Sequence, residues 1–364
     1  MATGDGLLAR LRVKHGRLTP NQLSEIAALA AQHGNRLVEI TARGNLQVRG
    51  LTAAATPDFA AAVRETIQIE DGLVVETPPL AGDDPGEIAD PRPLAAAIAA
   101  LAGPLGTRLG PKVTVVVDGG GQMTRSALKA DIRLTAITRD RWALAIADQP
   151  QAELAGLDAP AAVADILQKL AALGPQARGA DLVAPQKPAQ LADTPPIGRF
   201  TRRTGTATGI ALPFGASDAA SLIALATLGA QSGVPEFRLA PHHALLAMDA
   251  PEGFDAAAAT LGFITDPADP RLRISACIGS AGCASGFFPA RALAAKLASA
   301  LPTERQLHVS GCAKGCAHPR RAALTLVGRP DGYGLVIAGT AGDTPHAVLR
   351  MDDESALTAA IRQG

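Results

Sequence analysis

The chain is poor in aromatic residues, carries no net charge and has only four cysteines. Aromatic residues make up 3% of its 364 residues and apolar residues 47%, and 34 basic side chains balance 34 acidic ones. So few aromatic rings argue against a platform on which nucleic-acid bases stack. A net charge of zero produces no overall field that would attract nucleic acid or an anionic membrane. We therefore expect no nucleic-acid partner, and an anionic ligand must meet a local group of basic residues.

Long apolar runs are also missing. The alanine-rich residues 94–105 fall short of the ~20 apolar residues that a membrane span needs. The N-terminus combines Asp5 with basic residues at 10, 12 and 14 and lacks the apolar core of a secretion signal. The sequence therefore predicts a cytoplasmic protein without a membrane partner. Its cysteines are then expected to stay reduced and to serve metal binding or catalysis rather than disulfides.

The chain contains an internal repeat. A gap-free shift of 199 residues, which carries Gly16 onto Gly215, aligns two units with the same order of strand, helix cap and glycine. Residues 19–22 of the first unit have the threonine, proline and glutamine of a capped helix start, and Asp218 takes the place of the threonine in the second. The pattern predicts two pseudo-symmetric α+β halves, joined by a proline-rich connector at 185–197.

The first strand of the repeat is predicted over residues 7–14. Its side chains alternate between an apolar face and a face that is basic apart from Leu8. The basic face carries Arg10, Arg12 and Lys14. Such a face is a candidate surface for an anionic ligand, and the alternative is an ordinary solvated strand face.

All four cysteines lie in the glycine- and alanine-rich residues 273–320. They are spaced Cys277-x5-Cys283 and Cys312-x3-Cys316, with 28 residues between the pairs. Structural zinc is usually held by C-x2-4-C pairs, which the first pair does not match. A [4Fe–4S] cluster needs four thiolates on loops whose backbone approaches it closely, which glycine and alanine allow. The pattern favours an iron–sulfur cluster, with zinc, and thiols or disulfides without metal, as alternatives.

The cysteine spacing resembles the cluster signature of the sulfite and nitrite reductase superfamily. Further stretches that carry the resemblance are DGLL at 5–8, RLTP at 17–20, TARGNLQVRG at 41–50 and SGCAKGCAHP at 310–319. Ala313, Lys314 and His318 resemble the branch of this superfamily that works in cobalamin biosynthesis rather than the reductases.

The resemblance implies a fold and cofactors. It implies a duplicated α+β fold with ferredoxin-like half-domains at 1–70 and 198–265, α+β cofactor-binding domains at 90–184 and 266–364, and a linker at 185–197. It also implies a [4Fe–4S] cluster held by Cys277, Cys283, Cys312 and Cys316. In the superfamily the last cysteine bridges to a second iron centre, which would be siroheme or a non-haem iron here.

The implied activity is that of a monooxygenase, an O2-dependent oxidation of precorrin-3A by hydroxylation and lactone formation, with electrons from an external donor. The alternatives are a siroheme-dependent sulfite or nitrite reductase and a metal-stabilised tetrapyrrole-binding protein without enzyme activity. The sequence departs from the reductases at two places. Thr114 replaces the second lysine of an anion-binding K-x-K that starts at Lys112, and Glu76-Thr77 stands where relatives commonly have Arg-Asn.

The predicted site residues fall into two groups. A tetrapyrrole precursor carries many carboxylates, so its pocket needs fixed cations and hydrogen-bond donors, preferably guanidinium groups. We assign substrate binding to Arg10, Arg12, Arg43, Gln47, Arg49, Lys112 and His242. Catalytic roles are assigned to Cys316, Lys314 and His318. The alternatives are a polar strand end for His242 and a loop cap for His318.

Overall fold

The computed structural model describes residues 1–185 and 194–363. The predicted connector at 185–197 therefore lies largely outside the described residues. The strands are β1 Ala2–Thr3, β2 Gly6–Leu11, β3 Arg17–Leu18, β4 Leu37–Ile40, β5 Leu46–Leu51, β6 Val74–Glu76, β7 Thr114–Asp118, β8 Ile132–Thr138, β9 Arg141–Ile146, β10 Gln149–Ala155, β11 Gly198–Arg202, β12 Gly205–Ala211, β13 Ala216–Asp218, β14 Phe237–Ala240, β15 Ala244–Met248, β16 Ile274–Ala276, β17 Leu307–Ser310, β18 Ala322–Arg329, β19 Gly332–Gly339 and β20 Ala347–Leu349. The helices are α1 Pro20–His33, α2 Thr56–Thr66, α3 Arg92–Ala102, α4 Ala159–Leu173, α5 Ala219–Gln231, α6 Phe254–Thr260, α7 Ala290–Leu297 and α8 Glu354–Gln363.

The strands form four five-stranded sheets in two matching pairs. The first and third sheets have the orders β1-β2-β5-β4-β13 and β11-β12-β15-β14-β3 and are antiparallel. The second and fourth have the orders β10-β9-β8-β7-β6 and β16-β17-β18-β19-β20. In each of these two sheets three parallel strands are followed by antiparallel ones. The mixed α+β architecture predicted from the repeat is confirmed.

The two antiparallel sheets complete each other. The edge strand β13 of the later unit pairs with β4, and β3 of the early unit pairs with β14. Helices α1 and α5 contribute to one shared hydrophobic core, in which Leu23 and Ile26 lie with Leu222 and Leu225. Because each sheet takes its edge strand from the other unit, neither sheet is complete without its partner.

The 199-residue repeat is visible in the backbone. The shift carries α1 onto α5, and it carries the left-handed residue His15 (φ 56°) onto Phe214 (φ 55°). The predicted helix start is confirmed, since the side chain of Thr19 accepts from Gln22 N–H at 3.2 Å and Gln22 Oε1 accepts from Thr19 N–H at 2.9 Å. Asp218 caps α5 by accepting from the backbone N–H of Ala220.

The first strand is shorter than predicted. β2 ends at Leu11, and its pairing with β5 is interrupted by a bulge between Leu7 and Ala9. A bulge inserts one extra residue and so shifts the side-chain alternation. Leu8 is consequently buried, whereas Leu7, predicted for the core face, is only partly buried. The predicted end of the strand was therefore wrong and Leu8 is buried in addition, whereas Leu11 and Val13 are buried on the core face as predicted.

No helix in the described ranges, 1–185 and 194–363, is long and apolar enough to cross a membrane.

Candidate metal-cluster and substrate site

The four cysteines open onto one cavity of about 690 Å³. Cys277 directly follows β16, and Cys312 follows β17 by two residues. These two strands are adjacent and parallel, so their carboxyl ends meet at the same edge of the sheet. Two cysteine pairs that are distant in sequence are thereby brought to one place.

The cysteines are free thiols and lie near one another. Cys277, Cys283 and Cys312 are partly buried, and Cys316 is exposed. Burial raises the pKa of Cys316, the other three thiols raise it further, and Lys314 opposes them. Thiolates at close range repel one another unless a cation or a metal compensates their negative charge. The donor set therefore suits a metal better than it suits four unassisted thiolates.

The loops around the thiols fit a cluster. The backbone N–H of Gly311 donates to Cys277 Sγ at 3.1 Å. A Cβ built on Gly311 would lie 2.8 Å from Gly279 Cα, so only glycine allows these two loops to approach so closely. Among the described residues, no group of three or more His, Cys, Asp or Glu is arranged to hold a metal ion. Four thiols that line one cavity on glycine-rich loops match the donor set that a [4Fe–4S] cluster needs.

Lys314 joins the two cysteine loops. Its Nζ donates to Ser285 Oγ at 3.0 Å, and each residue lies two positions beyond a cysteine. Lys314 also lines the cavity, where its charge favours thiolates. His318 does not line the cavity. It lies behind the second loop, where its backbone N–H donates to Gly315 O at 3.2 Å.

His318 packs against a second, deeper histidine. The rings of His308 and His318 have centroids 5.7 Å apart. His308 is fully buried, and burial lowers its pKa to about 4, with a further lowering from His318. Its imidazole is therefore neutral near pH 7.

Arg49 and Gln47 line the cavity. The guanidinium of Arg49 is already paired with acidic side chains. It donates to both carboxylate oxygens of Asp5, at 2.9 and 2.7 Å, and to Glu39 at 3.3 Å. Burial would raise the pKa of Asp5, but hydrogen bonds from Arg49 and Thr3 outweigh it and hold that pKa below its usual value. Arg49 is thus a structural cation of the cavity wall, already paired before any ligand enters.

Four of the five cations predicted for substrate binding lie outside the cavity lining, and three of them are Arg10, Arg12 and Lys112. Arg10 is exposed, and its guanidinium donates at 2.8 Å to the Gln47 amide oxygen when that amide faces it. Arg12 donates to Gly72 O at 3.0 Å, and Lys112 is exposed. None of the three reaches the cysteine cavity.

Arg43 is held away from the cavity by Glu76. Its Nε donates to Glu76 at 2.9 Å and its Nη1 to Lys129 O at 2.7 Å. The carboxylate of Glu76 also accepts a hydrogen bond from Arg125 Nη1 at 3.0 Å. Glu76 therefore binds the arginine that was expected to meet the tetrapyrrole.

Two adjacent histidines line the cavity in a strained turn. His242 and His243 have φ of 59° and 64°, in the left-handed region that non-glycine residues rarely adopt. The Nδ1 of His243 lies 2.5 Å from Ile40 O, and burial lowers the pKa of this imidazole. Because a carbonyl oxygen only accepts, Nδ1 carries the proton, and Nε2 is left as an acceptor. Sequence reasoning identified His242 but missed His243.

Sequence reasoning also missed Arg291. It is the second residue of α7 and lines the cavity, with its Nη2 donating to Glu39 at 2.5 Å. Its Nε and Nη1 are buried without an acceptor in the part of the chain that is described. Glu39 and Arg291 are 252 residues apart, so no local sequence pattern connects them.

Comparisons with known proteins identify the fold and the family of the chain. Residues 1–66 match the model of the nitrite/sulfite reductase ferredoxin-like half domain. The NirA protein of Mycobacterium tuberculosis has a similar fold, with a TM-score of 0.70 at 19% identity over 98% of this chain and 80% of that one. A ferredoxin–nitrite reductase of Synechococcus elongatus is 29% identical over 146 residues, 36% of this chain and 28% of the relative.

A second curated relative covers nearly the whole chain. A precorrin-3B synthase from Sinorhizobium sp. is 39% identical over 396 aligned residues, which span 99% of this chain and 85% of the relative. Both curated relatives are enzymes, and the nitrite reductase is an oxidoreductase. With ferredoxin-like sheets and the nitrite and sulfite reductase fold, the chain belongs to the precorrin-3B synthase family.

Proposed function

We propose that this protein is a cytoplasmic oxidoreductase that oxidises precorrin-3A with O2, by hydroxylation and lactone formation, in aerobic cobalamin biosynthesis. The observation that carries the proposal is that all four cysteines share one cavity with the cations Arg49, Arg291 and Lys314. A volume of about 690 Å³ is within the range of small-molecule sites. The full-length likeness to a precorrin-3B synthase supports the same reaction.

The cysteines would hold a [4Fe–4S] cluster, which when bound supplies a centre for electron transfer from an external donor. Cys316 differs from the other three in being exposed. It is therefore the thiol best placed to face a second iron centre, siroheme or non-haem iron. The described residues form no preformed group of three His, Cys, Asp or Glu ligands for such a centre, so we assign it no residue besides Cys316.

The two arginines of the cavity differ in how strongly they would bind carboxylates of the macrocycle. Arg49 is already neutralised by Asp5 and Glu39. Arg291 shares Glu39 with Arg49, which leaves the Arg291 guanidinium only partly compensated. A substrate carboxylate would therefore gain more from Arg291 than from Arg49.

Lys314 is the second cation suited to a carboxylate. Its Nζ donates to the hydroxyl of Ser285, a neutral group that leaves the ammonium charge uncompensated. Lys314 lies between the two thiols of its own loop and lines the cavity. Of the cavity cations, Arg291 and Lys314 are thus the least compensated, and they would interact most favourably with a substrate carboxylate.

The positions of Lys112 and Thr114 disfavour the reductase alternative. Sulfite is small and doubly charged, so that alternative needs the cations of the K-x-K pair at 112 and 114 to converge on it beside the cysteines. Lys112 is exposed outside the cavity lining, and Thr114 supplies no charge. A large polycarboxylate does not need these residues to converge.

Turnover with precorrin-3A tests the proposal. Protein purified without O2 would be given precorrin-3A, a chemical reductant and then O2, and O2 uptake would be recorded. We expect uptake that depends on precorrin-3A. Stoichiometric siroheme with turnover of sulfite or nitrite, and none of precorrin-3A, would establish a reductase instead. Tight macrocycle binding without O2 uptake would establish a binding protein.

Replacing Arg291 with leucine is expected to weaken binding of a carboxylated porphyrin about tenfold, since one charge-assisted contact is lost. The dissociation constant would be measured by quenching of porphyrin fluorescence. The methyl ester of the same porphyrin should bind both proteins equally. Arg305→Leu, at an exposed position outside the cavity, is the control. Equal affinity of Arg291→Leu and the unchanged protein for the free acid would refute this role.

A further inference from the structure

His308 lies on the face of β17 that supports the second cysteine loop. Its strand neighbours Leu307 and Val309 belong to the hydrophobic core of the fourth sheet. Successive side chains of a strand point to opposite faces, so His308 and Ser310 share the other face. Ser310 Oγ donates to the carbonyl oxygen of Cys312 at 2.7 Å. Through Ser310, this face of β17 therefore already anchors the start of the second cysteine loop.

The imidazole of His308 is buried without hydrogen-bond partners. Its side chain has 0% exposure, and neither Nδ1 nor Nε2 has a partner in the described part of the chain. Burying polar atoms without partners is unfavourable, and such atoms in a folded protein call for an explanation. The core needs no histidine here, because an apolar residue would fill the same volume without this cost.

The polar edge of the ring faces the turn that carries Cys316. A Cβ built on Gly315 would lie 3.7 Å from His308 Cε1, the atom between the two ring nitrogens. His318, on the other side of Cys316, packs on the same ring and closes the turn through its N–H to Gly315 O. Cys316 is thus held between two residues that both lie against His308.

We propose that His308 is a positioning residue for Cys316, and that its ring N–H hydrogen-bonds to the turn at 315–318 when the cluster is bound. The inference rests on the proposed cluster. Hydrogen bonds from residues behind the ligands orient those ligands and tune the potential of iron–sulfur clusters. An N–H donor near an anionic cluster favours the reduced form, so its loss should make the cluster harder to reduce.

The midpoint potential of the cluster, followed by electron paramagnetic resonance in a redox titration, tests this role. For His308→Leu we expect about a tenfold lower ratio of reduced to oxidised cluster at a fixed potential. This ratio corresponds to a midpoint potential that is about 59 mV lower for a one-electron couple. His308→Asn keeps an N–H donor and should recover part of the shift. Thr325→Val is the control, since Thr325 is a buried polar residue beside His308 in the sheet.

An unchanged potential in His308→Leu, with normal cluster content, would overturn the inference. If His308→Leu does not fold, His308→Phe, which also lacks an N–H donor, gives the potential instead, and an unchanged potential in that variant would overturn the inference equally. A cluster missing from the unchanged protein would refute the proposed function itself, and the two failures are thereby distinguished.

Discussion

Replacing Cys316 with alanine is expected to remove most of the iron and acid-labile sulfide and to abolish turnover of precorrin-3A. Changes behind metal ligands typically cost ~10–100-fold in metal affinity or activity, so the loss of a ligand should cost more. Iron and sulfide per chain would be measured after anaerobic reconstitution, together with O2 uptake.

Ser280→Ala is the matched control for this change. Ser280 is an exposed residue of the first cysteine loop, and alanine there removes no ligand. We expect it to keep full iron and sulfide. Cys316→Ala with a full cluster and normal turnover would show that this thiol is not a ligand, and near-zero iron with stoichiometric zinc in the unchanged protein would end the cluster assignment.

Replacing Gly4 with alanine is expected to make the cluster labile. A Cβ on Gly4 would lie 2.6 Å from Cys283 Sγ and 3.2 Å from Cys283 Cα. A free thiol could rotate away from this contact, but a thiolate fixed on a metal cannot do so without leaving it. We expect cluster loss in air, followed by the decay of its visible absorbance, to be about tenfold faster or more.

Gly103→Ala is the control for an added methyl group. A Cβ there meets nothing within 4 Å, and its φ of −48° suits any residue. We expect this variant to behave like the unchanged protein. Equal decay of the cluster in Gly4→Ala and Gly103→Ala would contradict the close contact between the N-terminal segment and Cys283.

Those parts of the fold that depend on local signals could be predicted from the sequence. The capping box at Thr19 placed the start of α1, and the repeat placed α5 199 residues later at the cap Asp218. The β2 bulge was missed because the apolar pattern at 7–14 is regular even though the pairing is not. The exchange of edge strands between units was also missed, since β3 has only two residues and no strong pattern.

The candidate site was predicted in part for a similar reason. The cysteines are recognisable because their spacing and glycine-rich surroundings are local features. The cations depend on long-range pairing, which the sequence does not show. Arg43 was predicted to meet the ligand, but Glu76 binds it instead, and no local pattern marked Arg291, which pairs with Glu39 in the cavity wall.

The source of the oxygen in the product tests the proposed reaction most directly. The anaerobically reconstituted protein would be given precorrin-3A, a reductant and O2 labelled with a heavy isotope, and the product would be analysed by mass spectrometry. We predict a product that contains one oxygen atom from the labelled O2. Unlabelled product, or unchanged precorrin-3A from protein with a full cluster, would contradict the proposed reaction.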